Sequence, residues 1–100
     1  MDITNSKIDG YLDQTLVPNI LILAEMEKWG RARRFPTVGA QVGRLFHLLA
    51  KSVNARRVLE LGSGFGYSAM WFAHAVGADG LVVMTEGDAK NSQQIGRAHV

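Results

Sequence analysis

The sequence feature that most constrains the fold is a cluster of three glycines between an apolar run and a segment compatible with a helix. Residues 56–68 read Arg-Arg-Val-Leu-Glu-Leu-Gly-Ser-Gly-Phe-Gly-Tyr-Ser. This order is typical of a strand, a tight turn and the amino end of a helix. Glycine lets a backbone approach a ligand closely, and the first N–H groups of a helix have no intrahelical partner. The stretch therefore predicts a turn that holds a charged small molecule.

The residues around the glycines predict a βαβ unit. A first strand is expected at 58–61, a helix at Tyr67–Val76 that ends at Gly77, and a second strand at 81–85 that ends at Glu86. Both strands are apolar at nearly every position, which is typical of parallel strands covered on both faces. We therefore expect an α/β fold in which a right-handed crossover joins two parallel strands.

Three helices are predicted ahead of the first strand. Ser6 is expected to cap the first helix. The second is expected at 19–29 with Gly30 as its stop, and its apolar excess indicates packing on two sides or a homodimer contact. The third is expected at 38–53, where apolar side chains recur at steps of three and four residues, and Asn54 is expected to end it.

The densest positive cluster, residues 31–36, reads Arg-Ala-Arg-Arg-Phe-Pro and predicts a basic loop. Such a loop is either a solvated connection or a contact for phosphate or nucleic acid. A cluster of so few cations is only weak evidence for a polyanion partner. We therefore interpret the loop as a solvated connection and do not expect a nucleic-acid partner.

Composition narrows the classes of protein that the chain can represent. It has 100 residues, of which 47% are hydrophobic, with a formal net charge of +2 and no cysteine. These values predict at most one globular domain and exclude disulfides, thiolate metal sites and cysteine nucleophiles. The apolar run 20–24 is far shorter than the roughly 20 residues of a membrane span, and the first residues lack the features of a secretory signal. We therefore expect a soluble cytoplasmic protein with no membrane partner.

The spacing of the glycines does not match the dinucleotide fingerprint, because its third glycine would fall at Tyr67. Instead, Glu60 precedes the glycines and Glu86 follows at the tip of the next strand. This pattern resembles the first motif of the class I S-adenosylmethionine (SAM) methyltransferases. A narrower similarity, in order and spacing, covers about residues 38–88 and points to the catechol and caffeoyl-CoA O-methyltransferase-like family. The Tyr-Ser pair directly after the glycines is the most specific part of that similarity.

The resemblance implies the N-terminal part of a Rossmann-like SAM-methyltransferase fold, with leading helices followed by the βαβ unit. It also implies that the cofactor is bound by Val38, Glu60, Gly62, Ser63, Gly64, Ser68 and Glu86. In these roles Glu86 accepts hydrogen bonds from the ribose hydroxyls, and Ser68 with nearby N–H groups holds the methionine carboxylate. Glu60 lies near the ammonium group, Val38 lines the methionine side, and the glycines let the cofactor lie against the turn. Some relatives carry a tyrosine at the position of Gly64.

The reaction implied by the resemblance is transfer of a methyl group from SAM to a hydroxyl of a small molecule, assisted by a divalent, Mg-like metal in the full-length parent. The metal ligands of the family follow later strands, so we assign no catalytic or metal-ligating residue here. Two alternatives stay open. One is a SAM-dependent methyltransferase that acts on RNA or protein, and the other is a non-catalytic nucleotide-binding Rossmann module.

The organisation predicted for the chain has three parts. Residues 1–37 form N-terminal helices and the basic loop, and residues 38–94 form the first half of the SAM-binding domain. Residues 95–100 are interpreted as a non-native tail, because they can be back-translated as ATC GGA AGA GCA CAC GTC, which resembles a sequencing adapter read in frame. Two strands cannot complete a central sheet, so we expect the isolated chain to be marginally stable.

Overall fold

The computed structural model describes residues 5–15, 20–91 and 93. Its elements, in chain order, are α1 (Ser6–Thr15), α2 (Leu21–Ala32), α3 (Gly39–Ser52), β1 (Arg57–Glu60), α4 (Tyr67–Val76) and β2 (Leu81–Met84). Within these ranges no helix has the length and apolar character needed to cross a membrane. The predicted tail at 95–100 lies outside the described residues.

The βαβ unit is confirmed. Strands β1 and β2 pair in parallel, with a register that runs from Arg57 opposite Leu81 to Glu60 opposite Met84. Helix α4 connects them and ends, as predicted, at Gly77, whose φ of 78° is readily adopted by glycine. Each strand ends one residue earlier than the sequence predicts. Leading helices followed by a parallel sheet are the predicted fold class, and the hand of the crossover stays a prediction.

Only one face of the sheet is covered by the described residues, which agrees with the expectation that two strands cannot complete a central sheet. Burial alternates along both strands, since successive side chains point to opposite faces. The face toward α4 is partly buried, whereas Leu59 is 65%, Leu81 55% and Val83 47% exposed. We call these three side chains the outer sheet face.

The core lies where α4 packs against α2, α3 and the inner side of the sheet. Its buried side chains are Leu23, Met26, Phe65, Tyr67, Met70 and Trp71. Trp71 is completely buried, and a Cβ on Gly43 of α3 would overlap its indole ring. Much of the apolar excess of α2 is thus used within the chain, and a homodimer contact stays a prediction.

Most of the predicted apolar stripe of α3 does not pack in this chain. The periodicity correctly indicates a helix, but Leu45 is 51%, Leu49 55% and Val53 75% exposed. The buried residues of α3 are Gly43 and Ala50. Small residues bring two helix backbones close together, so they occupy the contact with α4. Phe46 joins this contact by stacking on Phe72 of α4, while the other large apolar side chains of the stripe lie outward.

Gly30 does not end α2, contrary to the prediction. The helix continues to Ala32, and Gly30 is buried within it because the ring of Phe65 packs there. A Cβ on Gly30 would lie 3.3 Å from Phe65 Cζ. Arg31 consequently belongs to the helix and not to the basic loop. The chain leaves the helical conformation at Arg34, which has a φ of 52°.

The two other predicted helix ends have different outcomes. Asn5, and not Ser6, caps α1, because the Lys7 N–H donates to Asn5 Oδ1 at 2.9 Å. Asn54 ends α3 as predicted. It adopts a φ of 53°, and asparagine tolerates this left-handed conformation better than most residues do.

Candidate cofactor-binding site

The glycine turn joins β1 to α4 in a conformation that side chains disfavour. Gly62, Gly64 and Gly66 have φ values of 75°, 61° and 92°, which lie in the left-handed region. The turn is held against the end of β2 by Thr85. The Gly62 N–H donates to Thr85 Oγ1 at 3.0 Å, and the Ser63 N–H donates to the Thr85 carbonyl at 2.9 Å. Both strand ends therefore fix the position of the turn.

A cavity of about 190 Å³ lies between this turn and the connection from α2 to α3. Among the residues predicted to bind the cofactor, five line it: Val38, Gly62, Ser63, Gly64 and Ser68. The connection contributes Phe35, Pro36 and Thr37 to the same wall. The structure thus brings together residues separated by more than twenty positions in sequence, and we call this space the cofactor cavity.

The amino end of α4 borders the cofactor cavity. Its cap is Gly66, which has no side chain, and no side-chain hydrogen bond caps the helix. The first turn also contains no acidic residue. Tyr67 and Ser68, the first two helical residues, both line the cavity. The free N–H groups of a first turn carry partial positive charge, so this border favours an anionic group.

Glu60, the last residue of β1, does not line the cofactor cavity itself but is hydrogen-bonded to Ser68, which does. Its Oε2 accepts a hydrogen bond of 2.6 Å from Ser68 Oγ, whereas its Oε1 is buried and has no hydrogen-bond partner among the described residues. Burial raises the pKa of the Glu60 carboxyl, and the Ser68 hydrogen bond opposes that shift. Because a hydroxyl has one proton, Ser68 cannot donate to Glu60 and to a ligand together. A ligand carboxylate would therefore meet the backbone N–H groups instead.

Ser63 and Glu86 are placed differently from the other predicted residues. The Ser63 hydroxyl donates to the Thr85 carbonyl at 3.2 Å, so its side chain holds the turn. Glu86 does not line the cofactor cavity. It follows Thr85 at the carboxyl end of β2, is partly buried, and accepts the Asp88 N–H on Oε1 at 3.0 Å. Glu86 therefore lies beyond the turn, at the same edge of the sheet.

Sequence reasoning missed three contributors to the site, namely Thr85, Phe35 and Glu27. Thr85 holds the glycine turn in place through hydrogen bonds. In the sequence this role is indicated only by the presence of a polar residue at the end of an apolar strand. Phe35 lines the cofactor cavity from a segment that the sequence indicated as a basic loop. The Tyr67 hydroxyl donates to Glu27 Oε1 at 2.7 Å and thereby ties α2 to the start of α4. Burial, and secondly this hydrogen bond, raise the pKa of Tyr67.

A larger cavity of about 640 Å³ adjoins the cofactor cavity, because Phe35 and Thr37 line both. Charged residues of both signs line it: Asp13, Glu27, Arg31 and Arg34. The third arginine of the predicted basic cluster, Arg33, instead stacks on Trp29, with its guanidinium carbon 4.2 Å from the ring centroid. The cluster is therefore divided between a cavity wall and the surface.

The part of the chain that the structure describes does not offer a set of metal ligands. No three His, Asp or Glu side chains in it are grouped so that they could hold a metal ion. His47 packs against Trp71, with ring centroids 6.3 Å apart, and burial lowers its pKa. We derive no chemical step through a metal from these residues.

Comparison with known proteins identifies the class to which the fold and the cavity belong. A family model described as O-methyltransferase matches residues 17–100. A catechol O-methyltransferase of Mycobacterium tuberculosis is 39% identical over 88 residues, which cover 86% of this chain and 40% of that protein. The chain therefore belongs to the O-methyltransferase family.

Solved structures agree with this assignment. A methyltransferase from Geobacter sulfurreducens superimposes with a TM-score of 0.84 and 36% identity over 97% of this chain and 51% of that one. The O-methyltransferase TomG from Streptomyces achromogenes, solved in complex with SAM, superimposes with a TM-score of 0.77 and 33% identity, covering 94% of this chain and 45% of that one. The chain thus spans about half the length of these proteins, and it has their Rossmann-like fold.

Proposed function

We propose that this chain is the amino-terminal, cofactor-holding part of a SAM-dependent O-methyltransferase that methylates a hydroxyl group of a small molecule. The observation that carries the proposal is a cavity with groups suited to both charges of an amino acid. The uncapped amino end of α4 lines it and favours a carboxylate. Ser68 also lines it and donates to Oε2 of Glu60, a carboxyl group whose Oε1 is buried and unpaired and which favours an ammonium group. The methionine end of SAM carries both groups.

In this proposal each part of the chain binds one part of the cofactor. The backbone N–H groups at Tyr67 and Ser68 hold the methionine carboxylate, and the Glu60 carboxylate accepts the ammonium group. Val38 covers the methionine side, and Glu86 accepts the two ribose hydroxyls at the edge of the sheet. The glycines at the turn let the cofactor lie against the backbone. When bound, SAM supplies a methyl group on a positively charged sulfur, and these contacts fix its position relative to the acceptor.

The acceptor proposed is a small hydroxylated molecule. The name of the mycobacterial relative supports this choice, and TomG is described as taking part in tomaymycin synthesis. A divalent cation that lowers the pKa of the acceptor hydroxyl is also part of the proposal. Because the described residues offer no ligand set for it, its ligands would come from polypeptide outside this chain.

Titration calorimetry on the complete polypeptide that contains this chain tests the proposal. We expect binding of SAM and of its demethylated product, S-adenosylhomocysteine (SAH), and no binding of NAD. A preference for NAD would instead indicate a nucleotide-binding module of another kind. Methyl transfer to catechol, measured with magnesium and after its removal by chelation, then tests the acceptor and the metal. Transfer that is unaffected by chelation would reject the metal.

A further inference from the structure

We propose that Phe35 forms an aromatic wall of the cofactor cavity and contacts the methionine portion of SAM. The proposal rests on the proposed function, because it assumes that SAM occupies this cavity. Phe35 belongs to the connection between α2 and α3, in a segment that the sequence indicated only as a basic loop. It lines the cavity together with the turn residues Gly62 and Gly64.

The first observation is the contact between Phe35 and the glycine turn. A Cβ built on Gly64 would lie 2.9 Å from Phe35 Cε1 and 3.0 Å from Phe35 Cζ. Cβ atoms in proteins rarely approach other heavy atoms so closely, so a side chain at position 64 would require the Phe35 ring to shift. Gly64 is thus needed for two independent reasons, its φ of 61° and the ring beside it. The ring of Phe35 occupies the space into which a side chain at 64 would project.

The second observation is that the surrounding structure fixes the Phe35 ring. It meets the ring of Phe65 edge to face, with centroids 4.9 Å apart and an interplanar angle of 89°. The ring of Trp29 lies 6.3 Å away. The Phe35 N–H donates to the carbonyl of Gly30 at 2.9 Å. Phe35 is nevertheless only partly buried, so part of a well-positioned ring stays available to the cavity.

The chemistry of this wall suits one part of the cofactor. The carboxylate and ammonium groups of methionine need polar partners, which the amino end of α4 and Glu60 provide. The carbon chain of the methionine instead needs an apolar surface that excludes water, and the positively charged sulfur is attracted to an aromatic ring. In the cofactor cavity Phe35 provides an aromatic surface of this kind next to Gly64. It is therefore a cofactor-binding residue for the methionine chain rather than for the adenosine.

Moving the ring between the two chain positions tests the proposal in the complete polypeptide. Phe35→Ala removes the wall, and we expect SAM and SAH to bind about tenfold more weakly, in line with the loss of one buried aromatic contact. Gly64→Phe alone places a second ring against the first, and we expect an equal or larger loss. The double variant Phe35→Ala with Gly64→Phe places one ring in the vacated space. We expect it to bind SAM more tightly than Gly64→Phe alone, because the overlap of the two rings is relieved and only the strain of a side chain at a φ of 61° remains.

Phe46→Ala is the matched control. Phe46 is also a partly buried phenylalanine, but it stacks on Phe72 with centroids 5.1 Å apart and does not line the cavity. We expect it to lower the melting temperature without changing the affinity for SAM. Unchanged SAM affinity in Phe35→Ala, or additive losses in the double variant, would overturn the proposal for Phe35. Absence of SAM and SAH binding in the unmodified polypeptide would overturn the proposed function itself.

Discussion

Replacing Glu60 with glutamine should stabilise the protein without cofactor and weaken its binding of SAM. Glu60 Oε1 is buried without a hydrogen-bond partner among the described residues, so its negative charge is poorly compensated. Glutamine has almost the same shape, and its amide oxygen can still accept the hydrogen bond from Ser68. The variant therefore removes the charge and keeps the contact.

The magnitude follows from the removed charge alone, because the glutamine amide at the position of Oε1 is also buried without a partner among the described residues. Leaving a buried polar group unsatisfied costs about 1–3 kcal/mol, and more for a charge. Glu60 is only partly buried, so solvent screens it, and we expect Glu60→Gln to raise the free energy of unfolding by about 1 kcal/mol at neutral pH. In the proposed complex the same charge would accept the ammonium group of SAM. A charge-assisted hydrogen bond contributes about 1.5–3 kcal/mol, so SAM should bind roughly 10- to 150-fold more weakly.

The direction in which the contribution of Glu60 to stability changes with pH follows from its pKa. Burial raises the pKa of Glu60 in the folded state, so the folded chain binds this proton more tightly than the unfolded chain does. The stability that this group contributes is therefore present below its unfolded-state pKa and is lost as the pH rises through its folded-state pKa. Glutamine does not titrate. The stability advantage of the variant should be absent at low pH and should grow as the pH rises through that window.

Urea unfolding of the unmodified and variant complete polypeptide at several pH values, followed by calorimetry with SAM, measures both effects. Ser68→Ala is the companion variant, because it removes the donor to Glu60 Oε2 and should destabilise the protein. The reasoning is refuted if Glu60→Gln binds SAM as tightly as the unmodified protein. It is also refuted if the variant loses stability at neutral pH.

Further predictions concern packing, the sheet edge and the outer sheet face. Gly43→Ala should lower the free energy of unfolding by about 3 kcal/mol in denaturant melts, because its Cβ would overlap Trp71. Gly10→Ala in exposed α1 should instead raise the free energy of unfolding by about 0.5–1 kcal/mol, because its Cβ meets nothing within 4 Å. Glu86→Ala should weaken SAM binding by about 1–3 kcal/mol in calorimetry, whereas Asp88→Ala should leave the affinity unchanged. Equal effects of the two variants would reject Glu86 as the acceptor of the ribose hydroxyls. The 100-residue chain alone should bind a hydrophobic dye through its outer sheet face and melt without a sharp transition; a cooperative melt would contradict this.

The sequence was sufficient for the βαβ unit because its signals are local. Two apolar runs, a glycine cluster and a helix ending at Gly77 each describe a few neighbouring residues. Local patterns could not show which helix faces pack. Gly30 looked like a helix stop, because glycine commonly ends helices, but the ring of Phe65, distant in sequence, made it an internal packing position. The stripe of α3 indicated a helix, but of its side chains Phe46 stacks on α4, and the rest of that contact is made by small residues such as Gly43, which packs against Trp71.

The sequence alone determined the chemistry at the turn. The left-handed backbone there requires glycine, and the acidic residue before it and the Tyr-Ser pair after it indicated what the turn holds. Tertiary structure decided how those residues are used. In the folded chain the Ser68 hydroxyl donates to Glu60, the Ser63 hydroxyl donates to the Thr85 carbonyl, and the Phe35 ring lies against Gly64. The physical reason is that backbone conformation is set by adjacent residues, whereas hydrogen-bond partners and cavity walls come from segments that meet only after the chain has folded.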